Sequence, residues 1–166
     1  MRVRSAVVGL CLSVGLCWAS VSLSRGVVFW LPPGSRVHSW SGVWRVDFPV
    51  EEGTTLREVF LLVREGEAPP LDVELVRFGG KSFRFFREEE GAAGSFYESL
   101  SYSLPLSDGK WVTLSFVIHT VNPGVFTFPP PPYDRRELLD LIEVILERVR
   151  TVSGFPSDRE GVRFRQ

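Results

Sequence analysis

The stretch KWVTLSFVIHTVNPG, residues 110–124, decides the fold of this 166-residue chain and holds one of its two histidines. Apolar side chains recur there at every second position: Val112, Leu114, Phe116 and Ile118. This spacing is the period of a β-strand, whose successive side chains point to opposite faces of a sheet. The stretch therefore predicts a strand with one core face, followed by a turn.

The residues before this strand predict further strands that are joined by tight turns. Gly79 and Gly80 separate LDVELVRF from SFRFFRE, and Asp108 with Gly109 separates SFYESLSYSL from KWVTLSFVIHT. Both dipeptides permit the positive φ angles that hairpin turns require. Five or six strands with short connections predict a largely antiparallel sheet.

The sequence YDRRELLDLIEVILERVR, residues 133–150, predicts an amphipathic helix. Asp134 is placed to cap its N-terminus, and Glu137 three residues later gives a D-x-x-E form of the capping box. The preceding prolines, residues 129–132, are interpreted as a stiff strap between the last strand and the helix. The apolar residues fall on one helical stripe: Leu138, Leu141, Ile142, Ile145 and Val149. We therefore predict an α+β domain in which a C-terminal helix packs on an antiparallel sheet of five or six strands.

The order of these elements resembles that of the PsbP family, which comprises the photosystem extrinsic protein and bacterial lipoprotein relatives. The resemblance covers about residues 42–150 and rests on the late strand DGKWVTLSFVIHT, the proline strap and the helix ELLDLIEVILERV. It implies an exported α/β sandwich, with an antiparallel sheet and helices on its faces. The resemblance brings no catalytic motif that could be matched to residues of this chain.

The N-terminus predicts export from the cytoplasm. Arg2 and Arg4 precede an uncharged stretch, residues 5–24, as in a secretory signal peptide. Twenty such residues are also enough to span a bilayer, so a cleaved signal and a retained membrane anchor both stay open. Either alternative places the rest of the chain outside the cytoplasm. The predicted division is a signal peptide or anchor at 1–24, a connector at 25–41, one α+β domain at 42–152 and a loose tail at 153–166.

Composition excludes several kinds of chemistry. The only cysteines, Cys11 and Cys17, lie in the apolar N-terminal segment, so the exported part has no thiolate for catalysis or for binding zinc or iron–sulfur clusters. A formal net charge of −1 gives no broad attraction to nucleic acid. The common hydrolase, zincin and nucleotide-binding motifs are absent from the sequence. We predict no catalytic residue, no metal ligand and no cofactor.

Two charged stretches resemble binding sites, one for a cation and one for nucleic acid, but in each case a structural role is the favoured interpretation. The sequence EEEGAAG, residues 88–94, offers carboxylates for a hard cation but lacks the spaced ligands of a calcium loop, so a solvated loop is favoured. The sequence RFGGKSFRFFRE interleaves basic and aromatic residues, as single-stranded nucleic acid sites do. Its alternating phenylalanines also suit a strand that packs on a core, and the exported location argues against nucleic acid.

The mixed face of the 110–124 strand supplies the candidate ligand-binding residues: His119, Trp111, Ser115 and Thr113. They share one side of the strand, where a histidine can act as a ligand or a proton switch if it has an acidic or hydroxyl partner. A structural hydrogen bond is the competing role for His119.

Three functional hypotheses follow. The first is an extracytoplasmic, non-catalytic interaction or assembly module, secreted or held by a single N-terminal membrane segment, with a protein partner at or outside the membrane. The second is a small-ligand or signal-sensing domain with Trp111 and His119 in its pocket. The third is a hydrolase built from carboxylates that no motif reveals.

Overall fold

Alternating apolar and polar residues build most of this protein as antiparallel β-structure. The computed structural model describes residues 18–24, 27–92 and 94–151. The first strands along the chain are β1 (Ala19–Ser24), β2 (Val27–Leu31), β3 (Arg36–Trp40), β4 (Val43–Phe48) and β5 (Leu56–Gly66). They are followed by β6 (Glu74–Phe78), β7 (Lys81–Ala92), β8 (Ser95–Pro105) and β9 (Trp111–Val121). A 3₁₀ turn (Pro123–Val125), helix α1 (Arg135–Arg148) and β10 (Arg150–Thr151) complete the order.

Seven of the strands form one antiparallel sheet in the order β3-β4-β5-β9-β8-β7-β6. The long strands β5, β9 and β8 lie at its centre, while the short strands β3 and β6 form the edges. A second, smaller sheet has the order β1-β2-β10. The predicted antiparallel pairing is therefore confirmed.

Glycine makes the predicted hairpins possible. Gly79 and Gly80 have φ angles of 54° and 77° between β6 and β7, and Gly109 has a φ angle of 81° between β8 and β9. These values lie in the left-handed region, where a residue without Cβ has no steric cost. Gly79 has a second role, because a Cβ added there would lie 2.3 Å from the backbone oxygen of Glu147 in α1. The β6–β7 turn thus touches the C-terminal end of the helix.

The hydrophobic core lies on one face of the seven-stranded sheet, which we call the covered face. The apolar stripe of β9 is buried there, together with Val59, Leu61 and Val63 of β5. Against it pack Ile142, Ile145 and Leu146 of α1, together with the buried side of β2: Val27, Phe29 and Leu31. Burial of this apolar surface is the main force that holds helix and sheet together.

Helix α1 begins where the sequence predicts. The side chain of Asp134 accepts hydrogen bonds from the backbone amides of Arg136 and Glu137, at 2.9 and 3.1 Å. These bonds satisfy two of the amides that a helix N-terminus leaves unpaired. The backbone of the strap is also tied down, because the amide of Thr55 donates to the oxygen of Pro131 at 2.9 Å. The strap therefore fixes where the helix starts.

The predicted α+β class, with five or six strands and a PsbP-like sandwich, is wrong. The described residues form a mostly β-structure with a seven-stranded sheet, a three-stranded sheet and a single α-helix on one face. Part of the difference lies in residues 27–40, where β2 and β3 flank Pro32 and Pro33. The prolines suggested a connector. Instead, Val27, Phe29 and Leu31 alternate into the core, while every residue of β3 is exposed and leaves no apolar pattern to detect.

The interpretation of residues 88–94 as a loop is wrong for residues 88–92, which belong to a strand. Strand β7 continues to Ala92, with Glu88 opposite Ser99 and Glu90 opposite Tyr97 on β8. Charged residues that face solvent on both sides carry no strand periodicity, and pairing with a neighbouring strand decides their conformation. The glutamates consequently stand in fixed positions on the sheet.

Residues 1–17 of the predicted signal peptide or anchor and the whole of the predicted tail, residues 153–166, lie outside the described residues. Residues 19–24 of the predicted N-terminal segment form strand β1, which pairs with β2. In the part of the chain that the structure describes, no helix is long and apolar enough to cross a membrane.

Candidate functional site on the open face of the sheet

The sheet surface opposite the core carries the candidate residues, and we call it the open face. On β9, the core-facing residues are buried, whereas the five residues between them are only half-buried. The half-buried residues are Trp111, Thr113, Ser115, Val117 and His119. The structure therefore places all four predicted ligand-binding residues on one face, in the middle of the seven-stranded sheet.

A trough of about 570 Å³ runs over strands β5, β9, β8 and β7 on the open face. Its floor is formed by Tyr97 and Ser99 of β8 and by Ser115 and Val117 of β9, and its walls by side chains of β5 and β7. The lining residues are Leu62, Arg64, Glu88, Glu89, Glu90, Tyr97, Ser99, Ser115 and Val117. The trough is deepest over Ser99 and Ser115, because these side chains are shorter than those of β5 and β7 on either side.

Hydroxyl pairs at one end of the trough link the two strands of its floor. Ser101 on β8 lies directly opposite Ser115 on β9, and their Oγ atoms are 2.8 Å apart. Two residues further along each strand, Ser103 Oγ lies 2.8 Å from Thr113 Oγ1. Ser101 and Ser103 are buried, so these bonds satisfy hydroxyls that water does not reach freely. Thr113 therefore helps to hold β8 and β9 together beside the trough. Ser115 has the same role and also lines the trough.

His119 lies at one end of the trough and contacts the two strands beside its own, β5 and β8. Its Nε2 lies 3.1 Å from Ser95 Oγ, and its Nδ1 lies 3.4 Å from Glu58 Oε1. The ring of Tyr97 stacks on the imidazole at a centroid distance of 4.3 Å. Glu58 and Tyr97 are the cross-strand neighbours of His119 on β5 and β8. The sheet register thus provides both an acidic and a hydroxyl partner for His119.

An ion-pair chain continues from this point to the edge of the sheet. Glu58 Oε2 accepts a hydrogen bond of 2.9 Å from Arg45, whose Nε donates to Asp47 Oδ1 at 2.6 Å. The guanidinium carbon of Arg45 lies 3.8 Å above the ring of Phe60, a cation–π contact. His38 Nε2 lies 3.0 Å from Asp47 Oδ2. The two histidines are therefore joined across four strands by side chains of alternating charge.

Ser95, His119 and Glu58 stand in the order of a serine hydrolase triad, hydroxyl to imidazole to carboxylate. A hydrolase of this kind also needs donors aimed at the developing oxyanion. The nearby amides of Val121 and Asn122 are already engaged, because they donate to the oxygens of Thr55 and Gly94 at 2.9 and 3.0 Å. The three side chains thus satisfy one another in a cross-strand network, and we assign them no reaction.

Trp111 marks the opposite end of the open face. The guanidinium carbon of Arg84, on β7, lies 4.6 Å from the centre of its ring. Arg84 also donates a hydrogen bond of 3.1 Å to the backbone oxygen of Pro69, in the connection between β5 and β6. Trp111 is therefore held by its neighbours and does not line the trough.

A second cleft, of about 590 Å³, lies at the N-terminal end of α1. Its central charges are paired with one another: Arg135 binds both oxygens of Glu98, at 2.5 and 2.6 Å, and Arg87 Nε lies 2.8 Å from Glu98 Oε1. Arg87 is also paired with Glu89. The hydrogen bond from Arg135 lowers the pKa of Glu98, although burial acts against it, and the same bond raises the pKa of Arg135. This cluster fastens the start of the helix to the sheet.

The walls of the trough differ from this cleft in having unpaired charges. Glu88 and Glu90 on β7 and Arg64 on β5 are exposed, and they make no ion pair or hydrogen bond with the described residues. Within the same described ranges, no three His, Cys, Asp or Glu side chains are grouped to hold a metal ion. The free charges are thus available to a ligand or partner from outside.

No protein-family model and no curated protein matches this chain. The assignment of a function therefore rests on the geometry of the open face. Sequence reasoning found the β9 residues of this face but missed Glu58, Ser95 and Tyr97, the contacts of His119. Their positions depend on strand register, and Glu58 is 61 residues away from His119 along the chain.

Proposed function

We propose that the protein is an extracytoplasmic, non-catalytic binding domain that docks a partner protein on the open face. The observation that carries this proposal is the trough in the seven-stranded sheet, on whose walls Glu88, Glu90 and Arg64 have no ion-pair partner among the described residues. A sheet normally covers a half-apolar face with another layer of structure. Here that layer is supplied by the partner. The basic, apolar N-terminus supports the extracytoplasmic location.

Photo-crosslinking in the cells of origin tests this proposal. A photoreactive amino acid replaces Ser99, on the floor of the trough, in the full chain. We expect a discrete adduct with a second polypeptide, and we expect Glu88→Arg with Glu90→Arg to abolish it because these changes reverse the charge of one wall. The control position is Asp140, which is exposed on α1. Adducts that form only at Asp140, or that ignore the charge reversals, would refute the proposal.

A small molecule is the second candidate for the trough. Its volume of about 570 Å³ falls within the range of about 300–1,000 Å³ that is typical of ligand pockets. The half-buried ring of Tyr97 and the hydroxyl of Ser99 would provide an apolar surface and a hydrogen-bonding group. The same crosslinking experiment separates the candidates, since a small ligand adds a few hundred daltons at most to the mass of the Ser99 variant.

A further inference from the structure

The position of the trough within the sheet limits what can bind there. An extended peptide adds to a sheet by hydrogen bonding to the free backbone groups of an edge strand. The floor of the trough is formed by β8 and β9, which are each paired with strands on both sides. Their backbone groups are used in the ladder. A helix, in contrast, satisfies its own backbone groups and needs only side-chain contacts.

The width of the trough also matches a helix. Its walls stand on β5 and β7, which are separated by β9 and β8. Three interstrand spacings make about 14 Å, and a helix with its side chains is about 10–12 Å wide. Ser99 and Ser115 have short side chains and lie between these walls. Side chains of leucine size can therefore project from a helix into the space above them.

The length of the trough gives the length of the helix. Arg64 lies opposite Thr113, and Tyr97 lies opposite His119, so the trough spans six residue steps along β9. At about 3.4 Å per residue this is about 20 Å. A helix rises about 1.5 Å per residue, so about 14 residues, or four turns, would cover it.

The free charges define the flanks of the helix. Glu88 and Glu90 stand two residues apart on the β7 wall, and Arg64 stands on the β5 wall. Opposite charges across an interface favour association and fix orientation. A complementary helix carries lysine or arginine on the flank over β7 and an acidic residue on the flank over Arg64.

We infer that the open face binds an amphipathic helix of about four turns from a partner protein, with an apolar stripe toward Ser99 and Ser115 and a basic flank over Glu88 and Glu90. This inference rests on the proposed function and specifies the partner that it requires.

Selection from two display libraries tests the inference with the full chain as target. One library presents randomised surface positions on a scaffolded helix, and the other presents random extended peptides. We expect the helix library to yield binders that are enriched in lysine and arginine on one flank. Their affinity should fall at least about tenfold on Glu88→Arg with Glu90→Arg, a loss of about 1.4 kcal/mol. Reversal of the basic flank of the binder should restore binding to this variant.

Two controls keep the experiment decisive. Asp140→Arg with Glu143→Arg makes the same change of charge on the exposed side of α1 and should leave binding unchanged. Ser99→Arg fills the floor of the trough and should block binding; if this variant does not fold, the exposed Glu88 and Glu90 positions still decide the result. Extended peptides that bind the open face in preference to helices would overturn the inference and leave the proposed function standing. Binders from both libraries that ignore every open-face variant would overturn both.

Discussion

On β9, Phe116 is fully buried against Phe48 and Tyr102, whereas the adjacent residues Ser115 and Val117 point to the open face and are only half-buried. The same strand therefore contributes to two surfaces of different composition. The covered face is almost entirely apolar and meets α1 and β2. The open face combines serines, aromatic rings and charges that are partly unpaired.

This difference shows that the alternation of apolar and polar residues along a strand does not by itself reveal whether a face serves stability or binding. The covered face is mainly apolar, and Glu98, the one acid buried there in the part of the chain that the structure describes, pairs with two arginines. The open face leaves Glu88, Glu90 and Arg64 without partners among the described residues. We therefore expect substitutions on the covered face to change stability and substitutions on the open face to change binding.

The largest expected effect belongs to the centre of the covered face. Phe116→Ala should lower the free energy of unfolding by about 3–5 kcal/mol, because it removes a fully buried ring and leaves a cavity. Val117→Ala, one residue away on the open face, should cost about 1 kcal/mol or less. Urea denaturation measures both values. Equal losses for the two variants would contradict the distinction between the faces.

The next effect concerns the buried carboxylate of the covered face. Glu98→Gln should lower the free energy of unfolding by about 1.5–3 kcal/mol at pH 7, since it weakens charged hydrogen bonds to Arg135 and Arg87. The folded protein holds the pKa of Glu98 below its usual value, mainly through Arg135. The stabilisation is thus complete above the unfolded pKa of about 4.3 and is lost as the pH falls through the lower folded pKa.

The pH dependence of the free energy of unfolding is the control for the Glu98→Gln prediction. Denaturation at a series of pH values from 7 to 3 should show the difference between wild type and Glu98→Gln shrinking below about pH 4.3. A difference that stays constant over this range would mean that the charge of Glu98 does not stabilise the fold.

A smaller effect tests the contact between the β6–β7 turn and α1 on the covered side. Gly79→Ala and Gly80→Ala both place a Cβ at a positive φ, which costs about 1–2 kcal/mol. Only the Cβ at position 79 meets the backbone of Glu147, while that at position 80 meets open space. Thermal denaturation should show Gly79→Ala to be less stable than Gly80→Ala by a further 1–3 kcal/mol or so. Equal melting temperatures would place the turn away from the helix.

The smallest effect is expected for the free charges of the open face. Glu88→Ala with Glu90→Ala should change the free energy of unfolding by less than about 0.5 kcal/mol per substitution, because neither carboxylate has a partner among the described residues. Chemical denaturation of the double variant checks this value. A loss of 2 kcal/mol or so would show that these residues serve the fold and are not reserved for binding.

The sequence was informative where one strong local pattern governs the structure. The alternation in β9, the Gly79-Gly80 turn and the cap of α1 at Asp134 depend on neighbours within a few residues, and all three are confirmed. The exposed strand β3 and the acidic end of β7 are stabilised by pairing with another strand, so their own residues carry little signal.

The candidate site was predictable only along one strand. Periodicity placed Trp111, Thr113, Ser115 and His119 on a common face, but the trough also needs β5, β7 and β8. Their alignment is set by register, and a shift of one residue would turn Glu58 and Tyr97 away from His119. Composition likewise could not show that Glu88 and Glu90 lie on a strand, where they form one wall of the trough. The ligand-binding role of these residues stays a prediction.

Protection of a cysteine on the trough wall tests whether a partner covers the open face. Because the only native cysteines are Cys11 and Cys17, Glu88→Cys can be made in a background with both replaced by serine. Asp140→Cys on α1 serves as the exposed reference. We expect a maleimide to label both positions rapidly in the purified protein, and we expect only position 88 to become protected in the cells of origin. Equal labelling of position 88 in both settings would contradict a docked partner on the open face.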